Sequence, residues 1–437
     1  MNHSSWTGIA WVIGALVVVP ACSSSTVSEP VGQTTQQLSQ DDEGDDESGP
    51  EAKTLYVWAG DQARVAPDFL AVINFNQRSN NYGKVLRTVP VPPPGNVGNE
   101  PHHCHLSADG NVLACGGLLS LLRGQNGIFF FDVSKARHPK FMFSTSAPSS
   151  SITDDFLPLP HGGFLVTDMG SAAGGAPGRL VEFDKKLHLV AEYPSSPPLD
   201  GFNPHGIDGD FATNELVTSD FINPVTTLNA WPGPVELRSS LRFWNLATRT
   251  ITRTVFLPDN AGTMDVKLIP GDARGRAITA NMFTGLVYTV DPTDGSYVQS
   301  FDCETITPHV EVPVRGGMTQ ILAMPRSGRR LIFGSFQAGQ IGLLDITNGT
   351  QFTQKSIVNL GLGAGPHDID LTDDDKRLVV TDYFLDEDGF GKIHFEGDHK
   401  VHVINVTDDA LTKDPSFNLD FNTAFATPAR PHGIATK

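Results

Sequence analysis

The feature of this 437-residue chain that most restricts its fold is a motif that recurs seven times. Each full copy reads as a β-rich strand, a polar or glycine-containing turn and a second β-rich strand, as in "GPHDIDLTDDDKRLVVTD" (365–382). A period of about fifty residues with four short strands per unit is typical of a β-propeller. One aligned column of the copies contains His102, Asp154, His205, Met264, Met318, His367 and His432.

The two chain ends indicate how the ring of blades closes. The seventh copy, "RPHGIATK" (430–437), stops after one strand, and its missing partner resembles "KTLYVWAGD" (53–61). Pairing these strands removes an open sheet edge that would favour aggregation. We therefore predict an all-β, seven-bladed β-propeller over residues 54–437, closed by pairing of the N- and C-terminal strands. The outer strands of its last blade come from residues 54–98.

The first 53 residues have the composition of an export and anchoring segment. An apolar run ends in "VPACSSS", which resembles a bacterial lipoprotein cleavage box with Cys22 as the lipid-bearing residue. We predict a lipoprotein-type signal peptide at 1–21, although no Lys or Arg precedes the apolar run; a plain secretory signal or a misplaced start codon is the alternative. Residues 22–53 are acidic and polar and predict a disordered tether. The expected location is the bacterial cell envelope, lipid-anchored or else periplasmic or secreted.

The charge of the chain argues against one class of partner. The formal net charge is −18, and residues 1–52 contribute eight acids and no Lys or Arg, so the remainder carries −10. An acidic body predicts no nucleic-acid partner. Contact with a membrane is expected only through the N-terminal lipid.

The aligned column carries the chemistry. The first strands of propeller blades line the central channel and run the same way, so the column predicts a ring of side chains around one mouth. Imidazoles suit copper, iron, zinc and nickel, and the thioethers of Met264 and Met318 favour Cu(I). The predicted metal ligands are His102, His103, His205, His367 and His432. The predicted catalytic residues are His102, His103, Asp154 and Glu100, with Asp154 as a ligand or as a group that orients an imidazole. The competing interpretation is a set of structural histidines in Pro-His turns.

Two further features lie near the ring. The Asp-Gly pair in "SADGNV" predicts a two-residue hairpin turn, which places Cys104 opposite Cys115 at a hydrogen-bonded position with Cα atoms about 5.5 Å apart. That separation permits a disulfide but does not require one. His394, His399 and His402 lie in or after the acidic insert 383–399, which is either a solvated surface loop or a cover over the channel mouth.

An ordered series of motifs resembles the selenium-binding protein and methanethiol oxidase family. The series is "NEPHH" (99–103), "LLSLLRGQNGIFFFDVSKARHPKF" (118–141), "SSLRFWNL" (239–246), "AGPHDIDLTDDDKRLVV" (364–380) and "PSFNLDF" (415–421). The resemblance implies a seven-bladed, copper-dependent oxidase that converts small thiols to an aldehyde, sulfide and hydrogen peroxide. It implies roles for His102, His103 and His432.

The sequence departs from that family in three ways. Asp154 stands where the family has a histidine, the family's cysteine-containing loop after His-His is absent, and His205 and His367 are additional. We therefore predict an exported oxidase that uses oxygen on a small molecule with copper, or alternatively iron. A four-histidine iron oxygenase of the carotenoid- and stilbene-cleaving type is a second hypothesis. A non-catalytic surface lipoprotein that binds a metal or a partner is a third.

Overall fold

The computed structural model describes residues 52–305 and 314–437, and these form seven antiparallel sheets arranged as the blades of a β-propeller. Within those two ranges there is no α-helix, and no helix is long and apolar enough to cross a membrane. The predicted signal peptide, Cys22 and nearly all of the predicted tether lie outside the described residues.

We number the blades by the chain order of their innermost strands. From innermost to outermost, the strands of blade 1 are Pro101–Leu106, Val112–Gly117, Ile128–Asp132 and Lys140–Thr145. Those of blade 2 are Ser150–Pro158, Phe164–Ser171, Arg179–Phe183 and Leu189–Tyr193. Those of blade 3 are Pro204–Asp210, Glu215–Ile222, Leu237–Asn245 and Thr250–Phe256. Those of blades 4 and 5 are Thr263–Leu268, Ala277–Asn281, Leu286–Val290 and Tyr297–Asp302; and Thr319–Ala323, Arg330–Ser335, Gln340–Asp345 and Thr353–Asn359.

Blade 6 has a fifth strand, because Leu419–Asp420 also pairs with its third strand. From innermost to outermost, the other strands of blade 6 are Ile369–Leu371, Arg377–Thr381, Lys400–Val406 and Leu411–Lys413. Those of blade 7, in the same order, are Ala429–Thr436, Thr54–Asp61, Phe69–Asn74 and Val85–Pro90. A separate two-stranded sheet is formed by Leu385–Asp386 and His394–Phe395, and the short 3-10 helices are Ser120–Arg123, Pro224–Thr227, Cys303–Thr305, Arg315–Gly317 and Asp388–Phe390.

The closure predicted from the sequence is confirmed. The C-terminal strand Ala429–Thr436 is the innermost of blade 7 and pairs antiparallel with Thr54–Asp61, with Leu55 opposite Thr436. The carbonyl of Lys437 also accepts hydrogen bonds from the N–H groups of Lys53 and Thr54, at 2.8 and 2.7 Å. The first and last described residues are thus held in one blade.

The hydrophobic core lies mainly between neighbouring blades. Second strands such as Thr54–Asp61 are buried along their whole length because both faces pack against other blades. Trp58 of blade 7 contacts the rings of Phe129 and Phe131 of blade 1, with centroids 5.2 and 5.6 Å apart, and its indole N–H donates to the Gly116 carbonyl at 2.7 Å. Burial on both faces explains why these strands read as β-branched and aromatic runs rather than as strict alternations.

Candidate metal centre in the propeller channel

A β-bulge in the innermost strand positions the channel-facing residues. In blade 1, Pro101 pairs with Gly117 and Cys104 with Cys115, so His102 and His103 together face a single residue of the partner strand. Such a bulge re-aims side chains, and it allows two consecutive residues to serve one site. The same register shift occurs in the innermost strands of blades 2, 3, 4, 5 and 7.

The bulge defines the ring, and it corrects one residue of the sequence alignment. In blade 5, Thr319 pairs with Ser335, as Pro101 pairs with Gly117 in blade 1. The residue that follows Thr319 is Gln320, so Gln320 and not Met318 stands in the ring. The ring is formed by His102, Asp154, His205, Met264, Gln320, His367 and His432.

Hydroxyl groups on the second strands of blades 2 and 6 tie these blades to the ring residues of blades 3 and 7. The Thr167 hydroxyl of blade 2 accepts the N–H of Asp155 at 2.9 Å and donates to the carbonyl of His205 in blade 3 at 2.6 Å. The Thr381 hydroxyl of blade 6 donates to the His432 carbonyl of blade 7 at 2.8 Å. These bonds satisfy carbonyls that the bulge removes from the sheet ladder, and they fix the backbone that carries the histidines.

Four histidines bring ligand atoms together in the channel. His102, His103, His367 and His432 each offer a ring nitrogen within 4.8 Å of the others, and all four are buried. The closest pair of rings is His102 and His432, with centroids 4.1 Å apart, as expected for adjacent blades at the ring closure. Zinc- or copper-type ions bind imidazole at about 2.0–2.1 Å, so two ligands on opposite sides of one ion are roughly 4 Å apart. Small side-chain movements would bring the four nitrogens to one ion.

Asp154 and His205 form a second group that shares His102. The two Asp154 oxygens lie 3.1 Å from His102 Nε2, 3.2 Å from His205 Nε2 and 3.2 Å from His103 Nδ1. His205 is further from the four-histidine group, with its ring centroid 6.4 Å from that of His102. Burial alone would raise the pKa of Asp154, but the imidazoles of His205, His102 and His103 lower it well below its usual value.

The chemistry of these imidazoles fits a metal ion. Both ring nitrogens of His102 and of His432, together with Nε2 of His103 and of His367, are buried without a hydrogen-bond partner. Buried polar atoms are normally paired, and leaving them unpaired costs free energy. Burial lowers the pKa of His102, of His367 and of His432, which keeps their rings neutral as metal coordination requires. Burial alone would also lower the pKa of His103, but Asp368 and Asp154 raise it to about 10, so a metal bound to this ring has to displace a proton.

Two polar side chains orient the candidate ligands. His367 Nδ1 lies 2.5 Å from Gln320 Oε1, and this bond places the proton on Nδ1 and leaves Nε2 as the free ligand atom. Asp154 Oδ1 lies 3.2 Å from His103 Nδ1, an ion-pair contact without hydrogen-bond geometry. Carboxylates and carbonyl oxygens commonly hold metal-binding imidazoles in this way. Sequence reasoning missed Gln320, although counting back from its paired strand "RLIFGS" (330–335) would have found it.

The structure does not bring Glu100 to the ring. Its carboxylate is buried in a separate network in which it accepts a bond from Arg430 Nη1 at 2.9 Å and from the Tyr383 hydroxyl. Arg430 also contacts the Tyr383 hydroxyl at 2.7 Å. This network lies behind His432, whose ring centroid is 6.0 Å from that of Tyr383, so Glu100 supports the C-terminal strand instead of facing the channel.

The ring separates two dissimilar spaces. On the side of the blade-connecting loops there is an apolar cavity, which reaches His102, Asp154 and His205. On the other side the channel is polar and lined by acids of the innermost strands, including Asp155 and Asp265. A group bound at the ring is thus approached by apolar surface from one side and by acidic surface from the other.

The insert 383–399 covers the mouth on the apolar side. Leu385, Ile393 and Phe395 line the apolar cavity, which supports the cover interpretation for the apolar residues of the insert. The three histidines in or after the insert do not join the ring. His394 is exposed and paired with Asp386. The remaining two are paired elsewhere: His399 Nδ1 lies 3.1 Å from Asn422 Oδ1, and His402 Nε2 lies 2.7 Å from Asp382 Oδ2.

Cys104 and Cys115 are disulfide-bonded directly beside the ring. Their predicted pairing is confirmed, but the predicted hydrogen-bonded position is wrong, since the Cα atoms are only 4.2 Å apart. The turn has four residues instead of two, because the N–H of Ser107 donates to the carbonyl of Val112. The first hydrogen-bonded pair of the hairpin is therefore Ser107 and Val112, one position further from the turn than predicted. Hydrogen-bonded and non-hydrogen-bonded pairs alternate along the two strands, so the cysteines occupy a non-hydrogen-bonded position, where Cα atoms lie closer together.

Comparison with known proteins agrees with the architecture. No protein-family model matches the chain. Selenium-binding protein 1 of Arabidopsis thaliana is 22% identical over 88% of this chain and 90% of its own length, and methanethiol oxidase of Homo sapiens is 21% identical over 84% and 89%. The crystal structure of a hypothetical selenium-binding protein from Sulfolobus tokodaii shares the fold, with a TM-score of 0.72 at 16% identity over 89% of this chain and 94% of that one. These likenesses cover most of the chain, which is therefore similar, at low identity, to the selenium-binding protein and methanethiol oxidase family.

Proposed function

We propose that this protein is an exported, copper-dependent oxidase of a small molecule, with the metal held by His102, His103, His367 and His432. The observation that carries the proposal is the convergence of four buried imidazoles whose ligand nitrogens lack hydrogen-bond partners. A copper ion supplies one-electron and oxygen chemistry. Zinc would suit the same ligands but has no redox change, so an oxidase requires copper or iron.

The reaction class follows from the relationship to methanethiol oxidase. One thiol, one oxygen molecule and one water would give one aldehyde, one hydrogen sulfide and one hydrogen peroxide. In this chain Asp154 is a positioning residue, because its lowered pKa makes it a poor proton acceptor while its oxygens contact three imidazoles. Its negative charge also offsets part of the charge of a bound cation. The apolar walls on one side of the ring exclude water from the reacting atoms.

The cellular location is part of the proposal. The lipoprotein-like segment around Cys22 would anchor the domain to an envelope membrane, with the acidic tether as a spacer. We expect the wild type to partition into detergent and Cys22→Ser to lose this property, and that result would support the arrangement. A wild-type protein that is found only in the aqueous phase of the envelope fraction argues for the plain secretory signal.

A four-histidine iron oxygenase is the second candidate, and the same imidazoles together with the adjoining apolar cavity favour it. The identity of the bound metal separates the two candidates. A protein that binds either metal without consuming oxygen would instead be a metal-binding lipoprotein.

Oxygen uptake and hydrogen peroxide release with a series of thiols test the proposal. We expect both from the copper-loaded wild type, and we expect His367→Ala to lose them together with its metal. His188→Ala is the matched control, because that side chain is 72% exposed and lies between the two outer strands of blade 2. Equal activity of His367→Ala and wild type would contradict the ligand assignment.

A further inference from the structure

The apolar cavity above the ring has the walls of a small-molecule site. Such sites are lined mainly by hydrophobic and aromatic side chains, with a few polar groups that orient the ligand. Its walls are dominated by aliphatic and aromatic side chains, among them Leu119, Leu122, Ile152, Phe221, Phe283 and Phe384. These residues come from loops and strand ends of blades 1 to 4 and 6, so the cavity exists only in the closed propeller.

The unpartnered polar atoms at this cavity belong to the ring. Among the described residues that line it, these atoms are the nitrogens of His102, Nδ1 of His205 and the carboxylate oxygens of Asp154. Glu387 also reaches the cavity, but its carboxylate is engaged by the Thr227 hydroxyl and by the N–H groups of Lys392 and Ile393. A ligand would therefore find polar partners at one end and apolar walls along the rest.

The apolar walls restrict the ligand further. The Asp154 carboxylate at the floor of the cavity is fully buried and would offset part of the charge of a bound cation, so it sets no limit on the group that reaches the ring. The walls offer no hydrogen bonds to a charged tail, whose desolvation would be uncompensated. An uncharged, apolar tail avoids this penalty.

The cavity is roofed by elements that are anchored on opposite sides of the mouth. The ammonium of Lys392 in the insert donates to the carbonyls of Thr226, Trp231 and Gly233 of the blade-3 loop, at 3.0, 3.2 and 3.1 Å. This bracing joins the insert to the blade-3 loop across the mouth. A ligand with a single methyl group would leave most of the apolar wall uncovered.

We infer that the substrate is an organic molecule with one polar or thiol end directed at the ring and an uncharged, apolar part packed against the walls of this cavity. In calling the ligand a substrate, the inference rests on the proposed oxidase function. The inferred substrate is larger than a one-carbon thiol, because burial against the walls favours binding by about 0.8 kcal/mol for each additional methylene, or about fourfold in affinity.

Binding of primary alcohols from ethanol to octanol tests the inference by calorimetry, with the full chain in metal-free and copper-loaded forms. We expect the dissociation constant to fall about fourfold per methylene up to a limiting length. Leu122→Trp should shorten that length and Leu122→Ala should extend it. Val225→Trp, on another wall, should shorten it as well and serves if Leu122→Trp does not fold. Leu371→Trp, which lines the acidic channel beyond the ring, is the matched control and should change nothing.

The outcomes distinguish a failure of this inference from a failure of the proposed oxidase function. A dissociation constant that does not depend on chain length, or an equal response in Leu371→Trp, overturns the inference even if copper binds. A chain-length series that persists in a protein unable to hold copper or iron supports the cavity assignment and overturns the oxidase proposal.

Discussion

Replacing Gln320 with leucine tests whether the ring is organised for a metal. Gln320 Oε1 is 2.5 Å from His367 Nδ1, and both residues are fully buried. Leucine has a similar volume but accepts no hydrogen bond, so His367 Nδ1 loses its partner and the ring loses its fixed orientation. Loss of such an orienting group typically lowers metal affinity by about 10–100-fold, which equals about 1.4–2.8 kcal/mol. The unpaired nitrogen should also destabilise the metal-free protein by about 1–3 kcal/mol.

Competition with a chelator of known affinity measures the first effect, and urea unfolding of the metal-free protein measures the second. Gln320→Glu keeps an acceptor oxygen and should retain affinity within about tenfold of the wild type. Gln340→Leu removes another buried glutamine of the same blade, away from the ring, and should leave metal affinity unchanged. If Gln320→Leu binds metal as tightly as the wild type, or if Gln340→Leu loses as much, the orienting role is refuted.

Three further predictions concern the scaffold. Reduction of the Cys104–Cys115 bond with dithiothreitol should lower the free energy of unfolding by about 2.8 kcal/mol, the value for a loop of sequence separation 11. If dithiothreitol destabilises the Cys104→Ala, Cys115→Ala double variant equally, this assignment is contradicted. Burial raises the pKa of Asp168 to about 6 from its ordinary 3.8, so the folded state binds this proton more tightly than the unfolded state. The contribution of Asp168 to the free energy of unfolding therefore decreases as the pH rises from about 4 to 6. Asp168→Asn should remove up to roughly 3 kcal/mol of that fall, and identical pH dependence in wild type and variant would count against it. Deleting residues 430–437 removes the innermost strand of blade 7 and should abolish cooperative thermal unfolding; an unchanged midpoint would show that closure is dispensable.

The architecture was predictable because each repeat is a local pattern of strand, turn and strand. The truncated copy at residue 430 and the unmatched strand at residue 54 are simple sequence facts, and closing a propeller leaves one way to join them. The four-histidine group was predictable for the same reason, since equivalent repeat positions face one channel. Three of its members follow Pro directly and one follows His102.

The position of Gln320 was not predictable from motif similarity. The segment "GGM" (316–318) resembles "GTM" (262–264), which suggested that Met318 matches Met264. In the structure Gly316 and Gly317 both have left-handed φ values, 68° and 69°, and the strand begins only at Thr319. The loop thus delays the strand by two residues, and strand register reveals the shift where motif similarity does not.

The role of Glu100 depends on partners that are remote in sequence. Arg430 and Tyr383 are about 330 and 283 residues away from it, and they meet it only when the ring closes. No local pattern encodes that network. A charged residue two positions before a histidine pair was therefore assigned to the site on proximity in sequence alone.

The metal content of the protein tests the central claim most directly. Wild type, His432→Ala and His188→Ala should be expressed in copper-supplemented medium, purified without added metal and analysed by mass spectrometry for all first-row metals. His432 is buried with both ring nitrogens unpartnered, whereas His188 is exposed. The account predicts one copper, or else one iron, per chain in the wild type and in His188→Ala, and loss of most of it in His432→Ala with the blades still folded. A wild type without either metal, or a His432→Ala variant with its full complement, would contradict it.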